Sequence, residues 1–357
     1  MKRFFFSLFI LLPLLSAAKS NNDSRLIIIT IDGLRWQELF TGANETLVSD
    51  KKLVRDTAEL RSAFWRDTPE LRREVLMPFV WNTIAKQGTI VGNRHRNSIM
   101  RVANKTNISF PGYCEMMTGM VDSTITSNDP VHNMHRNVLE AANQDKRYAG
   151  KVVMYGSWKS TRFAIHNEAA GIPASVSYEP NVAKKQTDRL KLIDRMLAGM
   201  PHYWRSEHAD AFTYAYVMET LKNEHPKVMW VSFGDTDEWA HASNYNLYLD
   251  AAHYTDAFIR DIIEYCESDR FYRGKTTYLI TCDHGRGSGG SWTSHGGGTQ
   301  GSEATWIMLL GKGVPALGET ADNGPFYTKQ VAATIARALA LDFIPESGES
   351  LQPIVIK

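Results

Sequence analysis

An α/β fold with a largely parallel central sheet, helices on both faces and inserted loops is predicted by two features of the sequence. Short apolar, β-branched runs alternate along the chain with longer segments of helical period, the order that builds a parallel sheet covered on both sides. Three of these runs, RLIIITI (25–31), VMWVSFGD (228–235) and TTYLITC (276–282), are apolar at nearly every position, as strands buried on both faces are. A third feature points past the fold. Each of these strands runs out into an aspartate, and the rim at the carboxyl ends of the strands is where open α/β sheets bind ligands.

Taken in order, the chain opens MKRFFFSLFILLPLLSAAKS, with Lys2 and Arg3 ahead of an apolar run and small residues ending at Ala18. That layout is a secretory signal peptide over residues 1–18, an uncleaved anchor being the alternative, and it places the mature domain (19–357) in the periplasm or outside the cell. The apolar run is shorter than the ~20 residues a membrane span needs, and no later segment reaches that length. Strand 25–31 follows and ends at Asp32-Gly33. Residues 42–76 are polar with helical patches and read as an excursion beside the site. MPFVWNTIAKQG (77–88) has amphipathic helical spacing stopped by Gly88. TIVGN and SIMRVAN are strand-like and lead to NISFPGYCEMMTGM, where Ser109 stands before a helix with Pro111 in its first turn.

A polar loop containing Asn128 comes next, then a helix over 138–144 and the strand KVVMYGSW (151–158), with Lys159 and Arg162 directly after it. Residues 163–225 hold two stretches of helical period and are expected to form a small lid or a second layer. Strand 228–235 delivers Asp235 and Asp237, with His241 four residues beyond Asp237. A helix over 244–268 covers one sheet face, strand 276–282 delivers Asp283 and His284, and Gly-rich chain carries His295 back toward them. A strand at 305–311 and a helix at 328–341 close the chain. No repeat and no linker interrupts this order, so one domain is expected.

The composition narrows the partners. Across 357 residues, a hydrophobic content of 43% and a charged content of 22% suit a globular domain, and a net charge of +1 provides no broad field for nucleic acid or an anionic membrane. Any anion affinity must be local. Three cysteines are too few for a disulfide scaffold. Cys282, inside a strand, reads as a small buried hydrophobe.

Asp32, Asp237, Asp283, His241, His284 and His295 supply only O and N donors, which suits zinc and also manganese or iron. A single aspartate after a strand is usually a turn or cap, and Ser109 alone is a helix cap. Gathered at one rim, six donors and a serine are enough for two ions. A pair of ions ~3.5–4 Å apart stabilises both the entering and the leaving oxygen of an in-line displacement.

IDGLRWQELF, SFPGYCEMMTG, DTDEWAH, CDHG and the later SHGG, in that order, resemble the motifs of the alkaline phosphatase superfamily, in particular its type I phosphodiesterase/nucleotide pyrophosphatase branch. The resemblance implies that Asp32, Ser109, Asp283 and His284 hold one zinc ion and Asp237, His241 and His295 the other. Asp235 replaces Asp237 if that loop is shifted. It implies further that Ser109 attacks the ester and passes through a phosphoseryl intermediate released by water. Asn128 lies near the place of an asparagine that donates to the phosphoryl oxygen in related enzymes, and a turn is its simpler role. WKSTR resembles the Lys-x-Arg pair of some phosphomonoesterases with one residue added, so Lys159 and Arg162 could clamp non-bridging oxygens.

The departures bear on substrate. Gly112-Tyr113 stands where the pyrophosphatase branch has Asn-His. Sulfatases carry an arginine at the place of Tyr113 and convert a cysteine or serine to an aldehyde. The expectation is an exported two-metal hydrolase of small-molecule phosphate esters, with phosphodiesterase and phosphomonoesterase activity as rivals. A sulfatase-like sulfuric ester hydrolase and a catalytically silent metal- or ligand-binding protein on the same fold are the other readings.

Overall fold

The computed structural model describes residues 23–355, so the expected signal peptide lies outside the described residues. Eleven strands are present among them: β1 (Arg25–Ile31), β2 (Thr89–Val91), β3 (Ser98–Arg101), β4 (Val152–Gly156), β5 (Ala174–Val176), β6 (Val228–Phe233), β7 (Thr276–Thr281), β8 (Ala304–Thr305), β9 (Ile307–Gly311), β10 (Gly318–Glu319) and β11 (Asn323–Tyr327). Eight form one sheet in the order β10-β2-β9-β7-β1-β6-β4-β5, and β11, β3 and β8 form a smaller one.

From β7 through β1, β6 and β4 to β5 every neighbour is parallel. All seven residues of β1 are buried. Ile27, Ile29 and Ile31 face one core, while Leu26 and Ile28 face the other, the two-fold alternation of a strand covered on both sides. Strand β9 runs antiparallel to β7 and to β2. The sequence reads 305–311 as one strand, but the chain bends at Trp306, whose indole N–H donates to the Leu34 carbonyl at 2.8 Å. Thr305 therefore pairs with β3 and Ile307 with β7, in different sheets.

Short helices α1 (Trp36–Thr41), α2 (Glu45–Val48), α3 (Thr57–Phe64) and α4 (Pro69–Leu76) make the excursion after β1. Residues 80–84 form a π-helical turn, continued by α5 (Ala85–Gln87), in place of the regular helix expected over 77–88. There the Asp256 carboxylate accepts the Phe79 and Val80 N–H groups at 2.8 and 2.9 Å. Helices α6 (Ser109–Thr118) and α7 (Val138–Gln144) pack on the face lined by Leu26 and Ile28. The opposite face is covered by α8 (Asp188–Gly199) and α9 (Asp210–Glu224), with α11 (Tyr245–Ser268) alongside and α10 (Asp235–His241) leading into it. The last helix, α12 (Gln330–Leu339), returns to the first face.

Residues 163–225 form a layer of the fold and not a lid. Their β5 pairs with β4, and Tyr216, Val217 and Leu221 of α9 are buried in the core beneath β4 and β6. No helix among the described residues is long and apolar enough to cross a membrane.

The register positions the site. Thr30 of β1 lies opposite Ser232 on one side and Thr281 on the other. Two residues further on, Asp32, Gly234 and Asp283 therefore leave the sheet level with one another.

Candidate metal centre

Ser109 occupies the first turn of α6 because Ile108 before it is extended and Pro111, which has no N–H to satisfy, fits the start of a helix. The helix ends at Gly119, whose positive φ of 73° suits glycine. All ten residues of α6 are buried. Gly112 allows this depth: a Cβ there would lie 2.7 Å from the Asp283 carbonyl oxygen. Glu115 ties the helix down by accepting the N–H groups of Ala103, Asn104 and Lys329.

So placed, the Ser109 hydroxyl lies 3.4 Å from Asp32 Oδ1 and 3.1 Å from His284 Nε2. The Tyr113 hydroxyl, one turn along the helix, donates to Asp32 Oδ2 at 2.9 Å. His284 Nδ1 donates to the Gly285 carbonyl at 2.9 Å, which leaves Nε2 to face the carboxylates. That nitrogen is 3.4 Å from Asp32 Oδ1 and 3.4 Å from Asp283 Oδ2. Asp283 Oδ1 accepts the Gly33 N–H at 3.2 Å, whereas its buried Oδ2 has no hydrogen-bond donor.

Burial works against a charge on His284, yet Asp283, Asp32 and Asp237 around it push its pKa up to about 10. Burial, together with Asp32, raises the Asp283 carboxyl well above the usual carboxylate range. Three carboxylates gathered in one buried pocket call for positive charge, and the Asp283 oxygen left without a donor is a ligand position for a cation. Asp32, Asp283 and His284 fit a cation: their ligand atoms lie within 4.8 Å of one another.

Asp237 and His241 sit four residues apart on one face of α10, and Asp237 Oδ2 is 2.9 Å from His241 Nε2. His295 arrives on the Gly-rich loop after β7. Its Nε2 is 3.0 Å from His241 Nε2 and 3.9 Å from Asp237 Oδ2, and its ring stacks on His284 at 4.0 Å. Burial, reinforced by His284, lowers the His295 pKa to about 3, so the ring is a neutral donor at ordinary pH. Burial would raise Asp237, but Arg286, His295 and His241 hold it well below the usual range. Asp237, His284 and His295 form a second group that fits a cation, so His284 is within reach of both. Asp235 points elsewhere and has no part in this group.

Arg286 was not legible as a functional residue in the sequence. Its fully buried guanidinium pairs with Asp237 Oδ1 and donates to the carbonyls of Trp292 and Thr293, the latter at 2.6 Å. It thereby ties α10 to the loop that carries His295. The available signal was a lone arginine three residues after Asp283 in an otherwise small-residue loop.

The three expected substrate-binding residues are not placed alike. Asn128 is at the start of α6, where its Oδ1 accepts the Phe110 N–H at 2.9 Å; its amide N–H2 remains to donate. Lys159 is exposed at the start of a 3₁₀ turn (Lys159–Ile165) whose Ser160 donates to the Asn128 carbonyl at 3.3 Å. Arg162 is turned away, pairing with Glu179 at 2.8 Å and Glu168 at 3.3 Å. The clamp expected from Lys159 and Arg162 is not formed, because the Arg162 fork is committed to carboxylates.

Residues 199–341 match the family model described as the Metalloenzyme superfamily. No curated protein matches the sequence. Among solved structures, the wild-type alkaline phosphatase PafA aligns with 94% of this chain and 99% of its own, with a TM-score of 0.59 at 9% identity. A putative sulfatase from Bacteroides thetaiotaomicron also gives a TM-score of 0.59, at 11% identity over 92% of this chain and 73% of its own. The phosphonate monoester hydrolase of Agrobacterium radiobacter gives 0.52, at 12% identity over 89% and 74%. The chain has the alkaline phosphatase fold, and its residues 199–341 carry the metalloenzyme signature of the matching family model.

Proposed function

We propose that this protein is an exported two-metal hydrolase of phosphate esters with Ser109 as nucleophile. The observation that carries the reading is the Ser109 hydroxyl lodged between Asp32 Oδ1 and His284 Nε2, at the start of a buried helix, facing donors with unmet negative charge. Asp32, Ser109, Asp283 and His284 would hold one ion and Asp237, His241 and His295 the other, zinc being the best match to this donor set. When bound, such ions supply Lewis acidity and lower the pKa of a serine or water oxygen.

The chain's own groups do the rest. Ser109 Oγ, losing its proton, attacks phosphorus as the ester P–O bond breaks and the alcohol leaves with a proton. Water then cleaves the resulting phosphoseryl ester, which releases the phosphate group and returns a proton to Ser109. Tyr113 fixes Asp32, and the Gly285 carbonyl fixes the His284 tautomer. The Asn128 amide N–H2 and the Lys159 ammonium are the donors for non-bridging oxygens. Phosphate is favoured over sulfate because Tyr113 stands where sulfatases place an arginine, and its phenol is spent on Asp32.

The test is hydrolysis of matched aryl phosphate monoester, diester and sulfate by the zinc-loaded chain, beside Ser109→Ala. Phosphate turnover that falls roughly 10³-fold or more in the variant, with metal content intact, is the expected result. Sulfate turnover with an aldehyde at residue 109 by mass spectrometry would establish the sulfatase reading. Metal binding without turnover of any ester would make this a binding protein.

A further inference from the structure

A second cluster of carboxylates lies outside the proposed two-metal centre. Glu207, Asp210 and Asp235 each offer an oxygen, and the three oxygens lie within 4.8 Å of one another. Glu238 is within hydrogen-bond reach of Glu207 and adds a fourth carboxylate. Among the described residues no lysine, arginine or histidine forms an ion pair with any of the four.

Two members have a structural explanation. Asp210 and Asp235 begin α9 and α10, and each caps the other: Asp210 Oδ2 accepts the Asp235 N–H at 3.1 Å, while Asp235 Oδ1 accepts the Asp210 N–H at 3.0 Å. Asp210 Oδ1 also accepts the Ser157 hydroxyl at 2.5 Å and the Gly234 N–H at 2.7 Å. Capping does not explain Glu207. It is 4% exposed, and its Oε1 has no hydrogen-bond partner. A bridge between Trp158 and Glu207 and the bond from the Lys159 N–H to the Ser206 carbonyl at 2.8 Å fix its backbone beside the end of β4.

The carboxylate packs against the bare Cα of Gly234. A Cβ there would fall 1.6 Å from Glu207 Oε1, so a larger residue would displace the carboxylate from this position. The backbone of Gly234 at φ −127° is accessible to any residue, so the requirement is for room and not for conformation. An ionised carboxylate is costly to bury without a partner, and here one is pressed among others.

We infer that Glu207, Asp210 and Asp235 form a further cation site, selective for a hard divalent ion, magnesium or calcium. An all-oxygen, carboxylate-rich set with no imidazole or thiolate favours those ions over zinc, and water completes their coordination. The ion ties residues 207–210 to the start of α10, two residues ahead of Asp237, and so steadies the helix that carries Asp237 and His241.

Equilibrium dialysis of the full-length mature chain, loaded with zinc and then exposed to magnesium or to calcium, tests the site against Glu207→Gln and Asp283→Asn. The expected result is one hard cation per chain beyond zinc, raising the thermal midpoint. It binds at least about tenfold more weakly in Glu207→Gln and unchanged in Asp283→Asn. Retained zinc in Glu207→Gln verifies its fold, and the separate magnesium and calcium arms identify the ion. Three results would overturn the inference: no ion beyond zinc in the wild type, as expected if the carboxylates merely share protons; equal binding in Glu207→Gln; or an ion lost with Asp283→Asn. Failure of the zinc centre itself would appear in the zinc content and leave this comparison readable.

Discussion

Asp32, Asp283 and His284 hang from the ends of adjacent parallel strands, whereas Asp237, His241 and His295 are carried by a seven-residue helix and a Gly-rich loop. The first set is buried and fixed by the ladder that holds β1 to β7. The second reaches the surface, with the His241 side chain 46% exposed, and depends on a few side-chain bonds centred on Arg286. One half of the centre is a property of the sheet. The other is assembled from a helix and a loop joined through Arg286, so a single substitution reaches further there than its own contact.

The largest effect is expected from breaking the sheet-borne half. Asp283→Asn keeps the shape and removes the charge, and turnover should fall roughly 10³–10⁴-fold with loss of one metal ion. Turnover within tenfold of wild type would remove Asp283 from the centre. In the assembled half, Arg286→Lys keeps the charge but loses the fork that reaches Asp237, Trp292 and Thr293 together. Metal affinity there should weaken by about 10–100-fold while the strand-tip ion is retained, as two-step metal titration would reveal. Equal weakening of both ions would mean that the halves are not separable.

Acid should also act unevenly. Burial lowers the pKa of His208, in the segment before α9, to about 4. An unfolded chain takes up that proton near the ordinary 6.5, so the stabilisation is complete above pH 6.5 and drains away as pH falls toward 4, by up to about 3 kcal/mol. Denaturant midpoints at pH 7.5 and 4.5 should therefore differ less in His208→Gln than in wild type. The smallest effect is expected for Arg162→Ala, because Glu179 and Glu168 already hold the guanidinium: turnover should change less than about threefold. A tenfold loss would show that Arg162 swings into the site during reaction.

The same contrast accounts for what was legible in the sequence. Strands covered on both faces must be apolar throughout, so β1, β6 and β7 stood out, and with them the aspartates at their tips. His241 was visible from its spacing to Asp237. The pairing of β9 against β7 was not, since antiparallel return depends on where the loop after β7 lands. The π-helical turn at 80–84 follows from Asp256, far along the chain, accepting two N–H groups. Arg286 and the capture of Arg162 by Glu179 were hidden for the same reason: an arginine's partner is set by packing, and nothing local names it. The choice between a lid and a second layer at 163–225 stayed open in the sequence because helical period cannot distinguish a flap from a layer of the core.

The register of β1 between β6 and β7 has a consequence for how the molecule comes into being. The bond from Gly33 to Asp283 joins residues 250 apart, and Thr30 meets Val231 across 201. Contacts of such span form late, because loop closure precedes any reward. A chain emerging from synthesis carries Asp32 first and gains Asp283 only after most of its length exists. Until β7 docks, the proposed centre has no complete ligand set to offer a metal ion, and ion capture there would be the signature of a finished molecule.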